Sequence, residues 1–130
     1  MDTTPATAPT PAEELFSVAG RTVVVTGGTS GIGAMIARGF AASGAEVIVT
    51  SRKEPAVQAT IGELCEFGTA TGTTSDLSTE DGCRRFGEWV AARHDTVDVL
   101  VNNAGATWGV PLEEHDEASW NRVLDLNVQG

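Results

Sequence analysis

Thr22-Val23-Val24-Val25-Thr26-Gly27-Gly28-Thr29-Ser30-Gly31-Ile32-Gly33 is the stretch from which the fold of this chain follows. The apolar, β-branched run at its start reads as a strand buried on both faces, and Ile32, Met35, Ile36 and Phe40 beyond it have helical spacing. A glycine-rich turn between a buried strand and a helix is a phosphate site. Gly27 permits the tight turn, whereas Gly31 and Gly33 withhold side chains where backbone approaches a pyrophosphate or a helix packs on a sheet. The start of the helix offers free N–H groups and the positive end of its dipole to the anion. Thr29, Ser30 and Ile32 complete the loop, and with the three glycines they form the first set of candidate cofactor contacts. A ligand-free turn in an α/β protein is the competing reading, and the surrounding sequence must separate the two.

That surrounding sequence supplies a second strand, Glu46-Val47-Ile48-Val49-Thr50, after a helix that runs to about Ser43 with Gly44 placed as its C-cap. Strand, helix and strand make a crossover unit, which implies a parallel sheet. At the end of the second strand of a dinucleotide-binding unit stands the residue that meets the adenosine ribose. An acidic residue there would favour NAD. This chain has Ser51-Arg52-Lys53, a hydroxyl followed by two cations, which suits a 2'-phosphate and so NADP(H). The bland alternative for Arg52 and Lys53 is a solvated basic pair at a strand end.

With 130 residues the chain holds one domain with one sizeable core and is too short for two. Its net charge of -10, from 18 acidic and 8 basic residues without a basic cluster, argues against nucleic acid or an anionic membrane surface as partner. An anionic coenzyme must therefore be held by local donors. Cys65 and Cys83 lack metal-ligand or C-x-x-C spacing and fall on apolar helical positions, so free core thiols in a reducing cytoplasm are expected, with no metal site. No apolar stretch has transmembrane length. Residues 1–12 have neither the basic and apolar regions of a secretory signal nor an arginine of a mitochondrial presequence.

Residues 1–14, rich in Thr, Pro and Ala, read as a disordered leader, and Leu15 to Arg21 as an apolar lead-in to the first strand of a domain spanning 15–130. Pro55 suits a first helical turn, with Val57, Ile61, Leu64 and Cys65 as the buried stripe of a second helix ending near Gly68. Thr69 to Ser75 is a weak third strand, followed by Asp76-Leu77 and a helix beginning at Ser78 or Thr79 whose inner side carries Cys83, Phe86, Trp89 and Val90. Asp76 is equally readable as a turn or capping residue. His94, in the last turn of that helix, reads as a surface residue complementing the dipole. Val97 to Val101 is the fourth strand, and Asn102-Asn103-Ala104-Gly105 follows at its carboxyl end, where ligands bind in parallel sheets. The amides can tie neighbouring strands to the glycine loop, and Ala104-Gly105 lets a ribose or nicotinamide come close. Trp108 to Leu112 is a loop, with Trp108 either lining a substrate entrance or simply packed at the surface. A last helix from about Asp116 puts Trp120, Val123, Leu124 and Asn127 on one face; an unsatisfied buried amide there would cost about 1–3 kcal/mol.

The pattern T-G-x-x-x-G-I-G at 26–33 and N-N-A-G at 102–105, in this order and at this distance, resemble the two signatures of the short-chain dehydrogenase/reductases, and the resemblance covers about residues 15–130. It implies a Rossmann-type doubly wound parallel sheet of strand order 3-2-1-4-5-6, here truncated after the fourth strand and the start of the following helix. It also implies that Asp76 accepts a hydrogen bond from the adenine amino group while the Leu77 N–H meets the ring, and that Asn103, Ala104 and Gly105 border the coenzyme. Asn127, within Leu126-Asn127-Val128, matches the asparagine that orders a water in the family's proton relay, the only catalytic position present; a structural amide at a helix kink is the alternative. Many NADP-using relatives carry a basic residue where this chain has Ser30.

By the family mechanism a tyrosine protonates the carbonyl oxygen while the nicotinamide delivers hydride, a lysine lowers the tyrosine pKa and a serine holds the oxygen. None of the three has a matching position, and the chain contains no tyrosine. The expectation is therefore the coenzyme-binding N-terminal half of an oxidoreductase interconverting a ketone and a secondary alcohol, inactive as 130 residues alone, with an open fourth-strand edge. Leu15 to Gly20 and Asn102 to Gly109 resemble the bacterial 3-oxoacyl-carrier-protein reductase branch that includes rhamnolipid-type enzymes, which implies a small-molecule or acyl-thioester carbonyl substrate. The family further implies a homo-oligomer, dimer or tetramer. A non-catalytic dinucleotide-binding or interaction module is the other reading the residues leave open.

Overall fold

The computed structural model describes residues 11–130. Most of the expected leader, residues 1–10, lies outside them. Helix α1, Ala12–Leu15, is a single exposed turn, and its last residue Leu15 and the following Phe16 are largely exposed. Strand β1 (Thr22–Thr26), helix α2 (Gly31–Ala42), strand β2 (Glu46–Ser51), helix α3 (Glu54–Leu64), strand β3 (Ala70–Thr74), helix α4 (Glu80–Ala91) and strand β4 (Val99–Val101) then alternate along the chain. All pairings are parallel in the order β3-β2-β1-β4, with Val24 opposite both Ile48 and Leu100. This is the α/β, Rossmann-type arrangement the sequence implied.

Side chains alternate across the two central strands. Val23, Val25, Val47 and Val49 face α2 and α3, where Ala37, Ala41, Val57 and Leu64 meet them, and Val24 and Ile48 face α4 through Phe86 and Val90. Burying such a side chain contributes about 1.5–3 kcal/mol, and those of β1 and β2 are sealed. At the end of α2, Gly44 has φ +83° and its N–H reaches the Ala41 carbonyl, while Ala45 N–H reaches Phe40. This paired cap, which requires the left-handed conformation, ends the helix where the glycine predicted it.

The inward stripe of α2 differs from the expected one. Ile32 and Met35 are 71% and 67% exposed, and the buried row is Gly33, Ala37 and Ala41, flanked by half-buried Ile36 and Phe40. Small side chains at successive turns let the helix axis approach the valine surface, which large residues would hold off. In α3 the buried positions are Val57, Thr60 and Leu64; Cys65 follows the last helical residue and is exposed, and Cys83 is only half-buried, so neither is a core thiol. His94 is not a surface residue. Its ring is 9% exposed, beyond the end of α4 and against the start of β2, with Nδ1 3.7 Å from Glu46 Oε2. Strand β4 begins at Val99, two residues later than expected: at Asp98 the backbone N–H still reaches the Thr22 carbonyl, but the Thr22 N–H goes to the Asp98 carboxylate, which also accepts from Arg21.

Beyond β4 a 3-10 turn (Leu112–Glu114) leads to helix α5 (Glu117–Leu124), whose N-cap Asp116 accepts the Ser119 N–H at 2.8 Å. A π-helical segment, Asp125–Gln129, continues it. On the face carrying Trp120, Val123, Leu124 and Asn127, Val123 is half-buried and the other three are exposed. Among the described residues no helix is long and apolar enough to cross a membrane.

Candidate coenzyme site

The carboxyl ends of β1, β2, β3 and β4 open on a cavity of about 400 Å³. The turn after β1 shapes its floor. Gly27, at φ +63°, lies so close to the strand-four loop that a Cβ would stand 3.0 Å from Ala104 Cα. Gly28 is buried, and a Cβ there would press on Val49 at 2.7 Å, while a Cβ on Gly33 would fall on the Gly27 carbonyl and the Asn103 amide. Gly31 has φ +53° with open space around it, so its glycine answers a backbone requirement and not a packing one.

Thr26 and Asn103 lock this turn to the fourth strand. Thr26 Oγ1 accepts the N–H groups of Asn103 and Ala104, each at 3.0 Å, and donates to the Val101 carbonyl at 3.2 Å. Asn103 Nδ2 donates to the carbonyls of Thr26 at 2.9 Å and Gly27 at 3.3 Å. Every one of these groups is partly buried and satisfied, so the loop is held rigid before any ligand arrives. The N-cap of α2, Ser30, makes no side-chain cap bond. The first-turn amides of the helix are thus left for an anion, at the end where the dipole favours one.

Of the candidate contacts read from the sequence, Gly27, Thr29, Ser30, Ile32, Gly33, Ser51, Arg52, Asp76, Leu77, Asn103, Ala104 and Gly105 line this one cavity. Gly31 shapes the loop without lining it, and Lys53 stands outside as the N-cap residue of α3, exposed and without a side-chain cap bond. Thr26, Gly28, Thr50, Ser75 and Leu126 belong to the cavity or its frame and were not singled out. The β-end position of Thr26 and Thr50, each the last or next-to-last residue of a buried strand, is the signal that could have marked them.

Asp76 is a turn residue. Its Oδ1 accepts both the Ser78 N–H at 3.1 Å and the Ser78 hydroxyl at 2.6 Å, while Thr79 caps α4 by accepting the Gly82 N–H. The Ser78 bonds, with a smaller contribution from the Arg52 charge, hold the Asp76 carboxyl below the usual carboxylate range. It is an anion able to accept from a ligand at any pH near neutrality. Arg52 is in no ion pair among the described residues, so its guanidinium is available at the edge of the cavity.

Asn127 sits in the π-helical segment, outside the cavity but behind the wall that Gly105 forms. Its Oδ1 accepts the Ala106 N–H at 2.9 Å, and its Nδ2 donates to the Ala106 carbonyl at 2.7 Å. A Cβ on Gly105 would come within 3.1 Å of that Oδ1. The amide therefore fastens the loop after N-N-A-G to the helix, at the kind of local helix widening that recurs at functional sites. In that loop Trp108 is 43% exposed and stacks under Arg122, whose guanidinium carbon lies 3.9 Å from the ring centre.

Residues 21–130 match the family model described as short chain dehydrogenase. A rhamnolipids biosynthesis 3-oxoacyl-[acyl-carrier-protein] reductase of Pseudomonas aeruginosa is 42% identical over 113 residues, which are 87% of this chain and 44% of that protein. The solved RhlG/NADP active-site complex of the same organism superposes with a TM-score of 0.84 at 41% identity, over 88% of this chain and 44% of the other. A 3-oxoacyl (acyl-carrier-protein) reductase of Agrobacterium tumefaciens with NADP bound gives 0.83 at 33% identity, over 92% and 46%. The chain spans less than half the length of these relatives. Nucleotide-loop geometry, strand order and sequence agree, and the chain belongs to the short chain dehydrogenase family.

Proposed function

We propose that this chain is the coenzyme-binding part of an NADP(H)-dependent oxidoreductase that interconverts a ketone and a secondary alcohol, with a 3-oxoacyl thioester as the substrate class. The observation that carries the reading is the convergence of the glycine loop, Arg52, Asp76 and Asn103–Gly105 on one cavity at the carboxyl ends of the strands. The uncapped first turn of α2 would receive the pyrophosphate, Ser51 and Arg52 the 2'-phosphate, and Asp76 and Leu77 the adenine. Asn103 keeps Ala104 and Gly105 low enough for the ribose and nicotinamide to pass. When bound, NADP(H) supplies or accepts the hydride.

Asn127 acts as a positioning residue in this reading, holding Gly105 and Ala106 beside the nicotinamide and orienting a water for proton transfer. The relatives named as 3-oxoacyl reductases support the thioester. The exposed apolar row Trp120, Leu124 and Val128 supports a homo-oligomer. Two thiols without a disulfide accord with a cytoplasmic location.

The test uses the protein expressed from its complete reading frame. Arg52→Ala should raise the Kd for NADPH at least about tenfold while changing that for NADH less than about twofold, as expected for loss of a charge-assisted contact to one phosphate. Equal losses would overturn the 2'-phosphate role. NADPH oxidation on addition of a 3-oxoacyl thioester is the expected activity, and tight NADPH binding with no turnover of any ketone would favour a dinucleotide-binding module.

A further inference from the structure

A second cavity of about 500 Å³ adjoins the first, and Arg52, Ser75 and Asp76 line both. Its far wall is α4, which contributes Arg85, Phe86 and Trp89, while β3 contributes Thr73 and Thr74. Two guanidiniums therefore line this space against a single carboxylate, in a protein of net charge -10. The carboxylate, Asp76, is already occupied by Ser78, and among the described residues Arg85 has one ion-pair partner, Asp81, with Nε 2.9 Å from Oδ2. A guanidinium bound through one edge has its terminal nitrogens free for another anion.

We propose that Arg85 is a second determinant of coenzyme choice, approaching the 2'-phosphate from α4 opposite Arg52. The proposal rests on the NADP(H) reading above and adds to it a residue from a different element. It accounts for the absence of a cation at Ser30 on the glycine loop: the second positive charge comes from the other side of the ribose. The phosphate would lie at the mouth between the two cavities, with Ser51 on the coenzyme side and the two arginines around it. A monoester phosphate is close to dianionic at neutral pH, so two guanidiniums match its charge.

The experiment measures dissociation constants of adenosine 2',5'-bisphosphate and 5'-AMP by calorimetry, with NADPH and NADH as a second pair, on the protein from its complete reading frame. Arg85→Gln should weaken the 2'-phosphorylated member of each pair about five- to tenfold and the other less than about twofold. Arg85→Lys, which keeps the charge on a similar stem, should recover part of the loss and serves where the glutamine variant is poorly folded. Asp81→Asn breaks the same helix-surface ion pair while leaving the cation, and it should leave 2'-phosphate binding unchanged or tighter. If Asp81→Asn weakens binding as much as Arg85→Gln does, Arg85 is only a helix-stabilising residue and the proposal falls. If Arg52→Ala abolishes the 2'-phosphate preference and Arg85→Gln leaves it intact, the Arg85 role falls while the NADP(H) reading stands. If neither changes it, the NADP(H) reading itself is wrong.

Discussion

Strands β2 and β4 flank the same strand and have similar apolar sequences, yet Ile48 is wholly buried while Leu100, opposite the same Val24, is 58% exposed. The difference is the company each strand keeps. Strand β2 has a neighbour on both edges and helices over both faces; β4 has β1 on one edge, and Leu100 lines an open groove beside Phe86 and Val90 of α4 and is not packed beneath them. A β-branched run dictates extended backbone, but burial belongs to the elements packed around it.

The largest effect should come from breaking the well-packed side. Ile48→Ala removes a sealed side chain between two strands and α4, and should cost about 2–5 kcal/mol in denaturant unfolding. Leu100→Ala should cost under about 1 kcal/mol, since over half of its surface is already in water. Comparable losses would mean that the face beside β4 is covered in the working protein.

A smaller contrast tests the loop between these strands. Gly33→Ala sets a methyl against the Gly27 carbonyl and Asn103 amide, so it should destabilise by about 1–3 kcal/mol and also weaken NADPH binding. Gly31→Ala meets no atom and carries only the left-handed backbone penalty of about 1–2 kcal/mol. Both glycines lie in the loop proposed to receive the pyrophosphate, so the two variants separate in denaturant unfolding, with the larger loss for Gly33→Ala; equal losses would deny the tight loop-to-strand contact.

The smallest expected effect is at the join between β1 and β4. Asp98 accepts the Thr22 N–H and an Arg21 bond, which together hold its carboxyl below the usual carboxylate range. Its folded pKa is lower than its unfolded one, so its contribution is fully present above about pH 4 and is lost as pH falls through the folded value. Asp98→Asn should lower Tm slightly at pH 7, and the gap from wild type should close in acid. A gap that persists unchanged below pH 3 would assign the effect to the lost geometry and not to the charge.

Much of the site was legible because its parts are local. Gly27 and Gly33, Arg52 at a strand end and the run Asn103–Gly105 each carry their chemistry within a few residues, and strand order then brings them together. Gly28 and Thr26 were less visible since their roles depend on partners far along the chain: Val49 excludes a side chain from Gly28, and Thr26 matters through the amides of Asn103 and Ala104. The half-buried His94 and the small-residue stripe of α2 were misread because local spacing says which residues share a helix face but not where the helix stops or how closely the next layer approaches.

By itself, then, the amino-acid sequence determined the alternation of strands and helices, the left-handed turns at Gly27 and Gly44, and the family, because backbone sterics and side-chain periodicity act over a few residues. Only the tertiary structure decided which face of α2 is buried, that Thr26 is the group through which Asn103 locks the loop, and that Arg85 shares a cavity with Arg52. Those outcomes depend on distances between residues 30 to 80 positions apart, and such distances are set by how the layers pack.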